Sequence, residues 1–110
     1  MKSLLPTNSH ADSRRELLEW VTDSSIRACK VVRALEDCVV GNHYHRLKHE
    51  IFCLIEGAGS VTIDGNTEFL VVGESLLIRR GVMHSFRLAK GSILLGAATE
   101  PFDSTDDYHQ

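Results

Sequence analysis

The sequence predicts an all-β fold, a single-domain β-barrel or double-stranded β-helix of the jelly-roll kind. Three observations lead to this prediction. Short apolar runs alternate with turn-forming residues along most of the chain. No window keeps a helical apolar period for more than a turn or two. The composition, 43% hydrophobic and 25% charged over 110 residues, is that of one globular domain with one core.

The predicted elements follow in chain order. Residues 1–13 are polar and are predicted as a flexible N-terminal arm, and the barrel is predicted to span residues 14–99. Runs rich in β-formers at 17–21 and 26–35 flank a turn cluster at 22–25. Strands are predicted at 50–55, 60–63, 67–72, 75–78, 84–88 and 92–98, with Asp64-Gly65 as a hairpin turn. Residues 100–110 contain Pro101 and three aspartates and are predicted as a flexible acidic tail.

Composition and charge argue against several classes of partner. The formal net charge is -3, so neither a nucleic-acid nor an anionic-membrane surface is expected. No stretch approaches the roughly 18 apolar residues that span a bilayer, and the first ten residues lack the apolar segment of a signal peptide. Cys29, Cys38 and Cys53 form no C-x-x-C pair, which is typical of buried thiols in a reducing compartment. We therefore predict a cytoplasmic location with no nucleic-acid and no membrane partner.

Four polar side chains indicate a metal site. His43 and His45 flank Tyr44, Glu50 follows shortly after, and His84 lies in a later predicted strand. On a β-strand the side chains alternate, so His43 and His45 share one face and Tyr44 takes the other. Three imidazoles and one carboxylate suit one divalent transition metal per chain, Fe, Mn, Ni, Zn or Cu, and leave coordination positions for water or substrate. We therefore predict His43, His45, Glu50 and His84 as the metal ligands.

Three further residues are weighed against this set. If the strand has begun by position 49, the side chain of His49 opposes that of Glu50, so His49 ranks below the four ligands. Arg79 could bind an anionic substrate or be a solvated loop residue, and the second alternative is favoured. Cys53 alternates away from Glu50 and is predicted to be structural.

These residues resemble the two motifs of the cupin superfamily. The first reads G-x5-H-x-H-x3,4-E-x6-G, and it is matched by His43, His45, Glu50 and Gly57, with Asp37 in place of the first glycine. The second reads G-x5-P-x-G-x2-H-x3-N, and it is matched by Gly73, Gly81 and His84, with Arg79 in place of proline and Leu88 in place of asparagine. The resemblance covers roughly residues 37–88 and implies a small single-domain cupin with all four ligand positions filled.

The resemblance implies several functions, which stay open here. Small metal-dependent cupins include dioxygenases, isomerases and decarboxylases, and this class is favoured, with a small-molecule ligand and Glu50 as a catalytic residue that acts as a base off the metal. The segment 41–45 also resembles sugar-nucleotide cupins of the ketoisomerase and epimerase kind, although many of those carry arginine where this chain has Val40. The third alternative is a non-catalytic binding or sensor module. Cupins commonly dimerise by exchanging N-terminal strands, so the resemblance also implies a homodimer through residues 14–21.

Overall fold

The structure, a computed structural model, describes residues 6–21 and 25–109. Within these ranges the chain forms ten strands: β1 (Asn8–Ala11), β2 (Arg15–Val21), β3 (Ala28–Ala34), β4 (Cys38–His43), β5 (Glu50–Glu56), β6 (Gly59–Ile63), β7 (Asn66–Phe69), β8 (Ser75–Ile78), β9 (His84–Leu88) and β10 (Ile93–Ala98). A short 3₁₀ helix, Ser104–Asp106, follows the last strand. The described ranges contain no helix long and apolar enough to cross a bilayer.

The strands form two antiparallel sheets. The six-stranded sheet has the order β1-β2-β3-β10-β5-β8, and the four-stranded sheet has the order β4-β9-β6-β7. Strands that are distant in sequence are neighbours in both sheets, as when β3 pairs with β10 and β4 pairs with β9. From β3 onward the chain crosses repeatedly from one sheet to the other, which is the topology of a jelly roll. The predicted all-β fold class is therefore confirmed.

The core lies between the sheets and is built from alternate residues of the strands. In β5, Phe52 and Leu54 are buried, whereas Ile51 and Ile55 on the other face are exposed. Burial of such apolar surface supplies the main favourable term of folding, about 25 cal/mol per Å². Glu50 shares the inner face of Phe52 and Leu54, so the packing of β5 also carries a carboxylate into the interior. The buried apolar cluster comprises Val32, Ala34, Phe52, Leu54, Val61, Ile78, Phe86, Leu88 and Leu94.

The predicted hairpin turn is present between β6 and β7. Ile63 pairs with Asn66, so the loop consists of Asp64 and Gly65 alone. Both residues have positive φ, 48° and 85°, as a two-residue type I′ turn requires. The strand β7 ends at Phe69, earlier than the predicted residue 72, because its partner β6 begins at Gly59.

The described parts of both predicted terminal segments contact the rest of the fold, which the sequence did not indicate, and residues 1–5 and 110 lie outside the described residues. β1 lies inside the predicted N-terminal arm and pairs with β2 along its whole length. Its side chains are exposed, so it lacks the apolar alternation by which strands are recognised. In the predicted C-terminal tail, Tyr108 bridges to Tyr44 and Asp106 is buried. The flexibility of 1–13 and 100–110 stays a prediction, and three of the four residues of the predicted turn at 22–25 lie outside the described residues.

Candidate metal centre

A β-bulge near the end of β4 sets two of the predicted ligands opposite each other. Gly41 pairs with Ser85 in β9, while His43 pairs with His84, so Asn42 is the extra residue of the bulge. Gly41 and Asn42 have φ values of 89° and 80°, a region that glycine and asparagine tolerate better than other residues. The bulge therefore determines the register in which the imidazoles of His43 and His84 meet.

His45 reaches the cluster from just beyond the strand. We expected His43 and His45 on one strand, but β4 ends at His43, and Tyr44 forms only an isolated bridge with Tyr108. The side chains still alternate across that bridge. The ring centroids of His43 and His45 lie 4.3 Å apart, whereas Tyr44 stacks on Tyr108 at 5.3 Å. The two imidazoles therefore lie together, with Tyr44 directed elsewhere.

The imidazoles of His43, His45 and His84 form one cluster. The His84 ring lies 4.8 Å from that of His43 and 5.6 Å from that of His45. One nitrogen of each ring lies within 4.8 Å of the others, a grouping that could hold a metal ion. Metal–nitrogen bonds of about 2.0–2.1 Å place the nitrogens around one ion roughly 3–4 Å apart, so only a slight closure of the cluster is needed. The side chains of His45 and His84 are 5% and 2% exposed, and that of His43 is 20% exposed.

Two of the imidazoles have their proton placed by a backbone carbonyl. The Nδ1 atom of His45 lies 2.7 Å from the carbonyl oxygen of Asp106, and Nδ1 of His84 lies 2.9 Å from that of Val82. A carbonyl oxygen only accepts hydrogen bonds, so each Nδ1 carries a proton, and in the neutral form of each ring Nε2 carries the lone pair. Metal-binding histidines characteristically have such a partner on the nitrogen that does not ligate. Both rings are therefore prepared to bind a cation through Nε2.

His43 has a carboxylate in the corresponding place. Oδ1 of Asp107 lies 2.5 Å from Nδ1 of His43, which favours a proton on that nitrogen and a free lone pair on Nε2. Burial, together with the neighbouring His45 and His84, nevertheless lowers the pKa of His43 from 6.5 to about 4. The imidazole of His43 is therefore neutral over the whole physiological range of pH.

Glu50 points one carboxylate oxygen at this cluster. Oε1 lies 3.2 Å from Nε2 of His45 and 3.6 Å from Nε2 of His84. The Nε2 atoms are themselves acceptors in the tautomer described above, and Oε1 is buried without a hydrogen-bond partner among the described residues. Leaving a buried oxygen unpaired costs about 1–3 kcal/mol or more for a charged group. A divalent cation between Oε1 and the imidazoles would remove that cost, so the donor set fits a metal.

Two lysines hold the other oxygen of Glu50. The ammonium groups of Lys30 and Lys48 lie 3.1 Å and 3.8 Å from Oε2. Burial raises the pKa of Glu50, but the charges of the two lysines, together with a hydrogen bond from His45 when its Nε2 is protonated, hold that pKa well below 4.5. Burial, followed by the charge of Lys30, lowers the pKa of Lys48. Glu50 is therefore an anion at neutral pH.

Gly96 provides the space through which Lys30 reaches Glu50. In the six-stranded sheet, Gly96 of β10 pairs with Lys30 on one side and with Phe52 on the other. A Cβ atom on Gly96 would lie 2.7 Å from Phe52 Cε1 and 3.3 Å from Lys30 Cγ. The missing side chain thus lets Lys30 cross β10 toward β5. A sequence signal for Lys30 existed, because it alternates in phase with the inward residues Val32 and Ala34 of β3.

The remaining sequence candidates lie apart from the imidazoles. His49 contacts Arg80 through both ring nitrogens, 3.1 Å from its backbone nitrogen and 3.1 Å from its Nε. Arg79 is exposed. Cys53 is a free thiol on the outer face of β5. None of the three joins the cluster of His43, His45 and His84.

The metal-free chain is expected to lose stability as the pH falls from about 6.5 to about 4. In this window unfolded histidines take up protons, whereas burial lowers the pKa of His43 to about 4 and also lowers the pKa of His84. The unfolded state then binds more protons than the folded state, so stability rises with pH. Urea unfolding of chelator-treated protein across this range measures the slope. The variant His43→Asn should show a shallower dependence of stability on pH. An unchanged dependence would mean that His43 is not responsible for it.

Comparison with known proteins identifies the family. The Cupin domain family matches residues 33–94, a range that contains all four predicted ligands. No curated protein sequence matches the chain significantly.

Several solved structures share the fold. The capsular polysaccharide assembling protein CapF from Staphylococcus aureus superposes with a TM-score of 0.80 and 23% identity over 96% of this chain and 33% of its own. KdgF from a Halomonas species superposes with a TM-score of 0.77 and 15% identity, over 96% of this chain and 99% of its own. A variant of oxalate decarboxylase from Bacillus subtilis superposes with a TM-score of 0.76 and 20% identity, over 94% of this chain and 30% of its own.

These matches cover different shares of the three neighbouring chains. The chain spans about a third of the CapF and oxalate decarboxylase chains and nearly all of the KdgF chain. At such low identities the likeness concerns the fold alone. The family match covers residues 33–94 of a 110-residue chain, more than half of it. On this match, and with the jelly-roll fold, the chain belongs to the Cupin domain family.

Proposed function

We propose that this cupin binds a small molecule at a divalent transition metal held by His43, His45, Glu50 and His84. One observation carries the proposal: the imidazole nitrogens that lack an outer acceptor converge beside Oε1 of Glu50, which is buried without a partner. Lone pairs gathered in a buried space are unfavourable unless a cation lies among them. We favour an enzyme of dioxygenase, isomerase or decarboxylase type.

The proposed ligand set defines what each part of the site contributes. A bound Fe, Mn, Ni, Zn or Cu ion would supply Lewis acidity or, for a redox metal, oxygen activation, with coordination positions left for a ligand. His45 and His84 are held by backbone carbonyls, so their role would be to hold and orient the metal and not to exchange protons. Glu50 is anionic, and as a base it would take up a proton at Oε1 once that oxygen has left the metal, while Lys30 keeps Oε2 in place.

A cavity beside Lys30, which none of the four proposed metal ligands lines, is our candidate position for the organic part of the ligand. It has a volume of about 460 Å³, and its lining includes the apolar side chains of Leu17 and Phe102 together with Arg15, Glu19 and Lys30. Nε of Arg15 is buried and has no hydrogen-bond partner among the described residues. Apolar walls with an available guanidinium suit a small organic anion. We therefore infer a ligand that carries a carboxylate or a similar anionic group.

The sugar-nucleotide alternative fits these contacts less well. It needs a histidine that is free to move a proton beside a ketone. His45 and His84 each have Nδ1 engaged by a carbonyl and Nε2 directed at Oε1 of Glu50, which favours ligation over free base chemistry. The likeness to CapF concerns the fold and therefore lends no separate support to a sugar-nucleotide substrate.

Metal analysis followed by ligand assays tests the proposal. Protein purified without added metal, or reconstituted with one metal at a time, is expected to hold about one divalent ion per chain. Oxygen uptake by the Fe(II) form with small organic acids would favour the dioxygenase type. Thermal stabilisation by nucleotide sugars without metal would favour the alternative, and a retained ligand without turnover would favour the sensor module. Failure to bind any of the five metals would contradict the metal centre.

We also propose a homodimer, with its interface on the outer face of the six-stranded sheet and not at residues 14–21, because β2 pairs with β1 and β3 of its own chain. Ile51, Leu77 and Leu95 lie on the adjacent strands β5, β8 and β10 and are 41%, 50% and 40% exposed. A contiguous apolar patch of this kind marks an association surface, and a two-fold interface sets the same patch of each copy against the other. Light scattering is expected to give twice the chain mass of 12.3 kDa. Ile51→Lys should give the monomer, whereas a dimer unaffected by this change would place the interface elsewhere.

The cysteines support the predicted cytoplasmic location, which stays a proposal. Cys29, Cys38 and Cys53 are free thiols. A reducing compartment keeps cysteines in that form. Fractionation of cells that produce the chain would test this location.

A further inference from the structure

We propose that the C-terminal segment Asp106–His109 is a functional part of the metal centre, in which it positions the imidazoles of His45 and His43 for metal binding. The inference rests on the metal centre proposed above. The segment lies outside the residues 33–94 that match the Cupin domain family. Its role therefore comes from the contacts in this chain and not from the family pattern.

Asp106 fixes the loop that carries His45. Its residue is only 3% exposed. The carboxylate accepts hydrogen bonds from the backbone nitrogens of Arg46, at 2.8 Å, and Leu47, at 3.2 Å. The backbone carbonyl of Asp106 accepts the Nδ1–H of His45 at 2.7 Å. One residue thus holds both the backbone next to His45 and the ring itself.

Asp107 occupies the corresponding position beside His43. Its Oδ1 lies 2.5 Å from Nδ1 of His43, yet this buried oxygen forms no hydrogen bond of acceptable geometry with any described residue. Binding of a cation at Nε2 orients the ring and makes Nδ1–H a stronger donor. A cation at Nε2 would therefore complete the hydrogen bond between Nδ1–H of His43 and Oδ1 of Asp107.

Tyr108 and His109 attach the segment to the strand end that carries the ligands. Tyr108 and Tyr44 exchange two backbone hydrogen bonds, of 3.0 Å and 3.1 Å. The guanidinium of Arg46 lies 4.2 Å from the Tyr108 ring centroid, a distance at which cation–π attraction operates. Nδ1 of His109 lies 3.1 Å from the carbonyl oxygen of Asn42, the bulge residue. The segment therefore spans from the bulge to the His45 loop.

These contacts couple docking of the segment to metal binding. If the docked segment raises metal affinity by orienting His43 and His45, then the metal must strengthen docking by the same factor. Loss of an outer partner of a ligating histidine typically weakens metal binding by about 10–100-fold. Asp107→Asn keeps the shape of the side chain but removes its charge, so it is expected to weaken binding within that range.

Titration of the full-length chain with Co²⁺ alone, followed by visible absorption, tests the inference. The matched control is Asp103→Asn, the same change at an exposed aspartate that precedes the segment and caps the 3₁₀ helix. Asp103 caps the 3₁₀ helix through Thr105, at 2.9 Å to N and 2.6 Å to Oγ1, and no described imidazole contacts it. We expect Asp107→Asn to weaken Co²⁺ binding about 10–100-fold and the control by less than about threefold. The melting temperatures of the metal-free proteins should stay close together.

Hydrogen exchange provides a second measurement that needs no variant. Co²⁺ is expected to slow amide exchange at Asp106 and Tyr108 in the wild-type chain. Equal Co²⁺ affinity of Asp107→Asn and wild type, or exchange in the segment that Co²⁺ does not change, would overturn this inference and leave the metal centre standing. A lower melting temperature of Asp107→Asn with unchanged affinity would do the same, since that is the result of a merely structural role. Failure of the wild type to bind Co²⁺ and all five metals named above would overturn the metal centre as well.

Discussion

The variant His84→Ala is expected to bind divalent transition metals at least about 100-fold more weakly than the wild type at neutral pH. This loss exceeds the 10–100-fold that removal of an outer partner causes, because a ligand itself is lost. His84 lies opposite His43 across the bulge and presents Nε2 3.6 Å from Oε1 of Glu50. Elemental analysis and chelator competition at pH 7 measure the change.

The chain offers a matched control for this experiment. His49 belongs to the same histidine-rich stretch, yet its ring contacts Arg80 and not the other imidazoles. His49→Ala should therefore leave metal affinity unchanged within about threefold. A loss equal to that of His84→Ala would mean that His49 belongs to the ligand set. His84 is buried, so its removal also leaves a space beside Phe86 and is expected to destabilise the chain. Affinities are for that reason compared at a temperature where circular dichroism shows both variants folded.

The architecture could be predicted because its signals are local. Strand alternation in β5 and β9, and the Asp64-Gly65 turn, depend on residues that are neighbours in the chain. The strand β1 gave no such signal, because an exposed edge strand needs no apolar face. Its pairing with β2 is a tertiary property that overrides local composition.

The candidate site likewise contains residues that the sequence predicted and residues that it did not. The motif spacing predicted which side chains would meet, and the structure brings His43, His45 and His84 into one cluster beside Glu50. Lys30 could have been noticed from its inward phase in β3, but its contact with Glu50 depends on the gap at Gly96 in a different strand. Asp106 had no signal at all, since its partner His45 lies 61 residues away and is bonded through a backbone carbonyl.

The lysines change how Glu50 is understood. From the motif alone, this carboxylate offsets the charge of the metal. In the structure it is also the counter-charge of two ammonium groups, Lys30 and Lys48, at Oε2. A bound metal and the lysines would therefore compete for the same negative charge, and such a site would retain positive potential that an anionic ligand could neutralise. The same arrangement makes Glu50 a stability determinant before any metal is bound.

Glu50→Gln is accordingly expected to lower the free energy of unfolding of the metal-free chain by about 2–4 kcal/mol at pH 7. Removing one partner of a buried ion pair typically costs about 3–5 kcal/mol, because the other charge stays buried without compensation. The glutamine amide can donate to Nε2 of His45, which offsets part of the loss. Urea unfolding in the presence of chelator measures the difference. Glu100→Gln is the control, because it breaks the exposed pair with Arg27, whose side chains are 42% and 45% exposed, and should cost at most about 1 kcal/mol.

The pH dependence and a double variant distinguish this explanation from loss of packing. The pKa of Glu50 in the folded chain lies below its ordinary 4.5, so its contribution is present above pH 4.5 and is lost as the pH falls through the folded-state pKa. The deficit of Glu50→Gln should therefore be complete at pH 7 and shrink in acid. Adding Lys30→Met should recover part of the lost stability, because it removes one of the two uncompensated ammonium groups. Two outcomes would mean that the lysines do not depend on this carboxylate. One is a stability deficit that is independent of pH. The other is a loss of stability in the double variant that exceeds the sum of the losses in the two single variants.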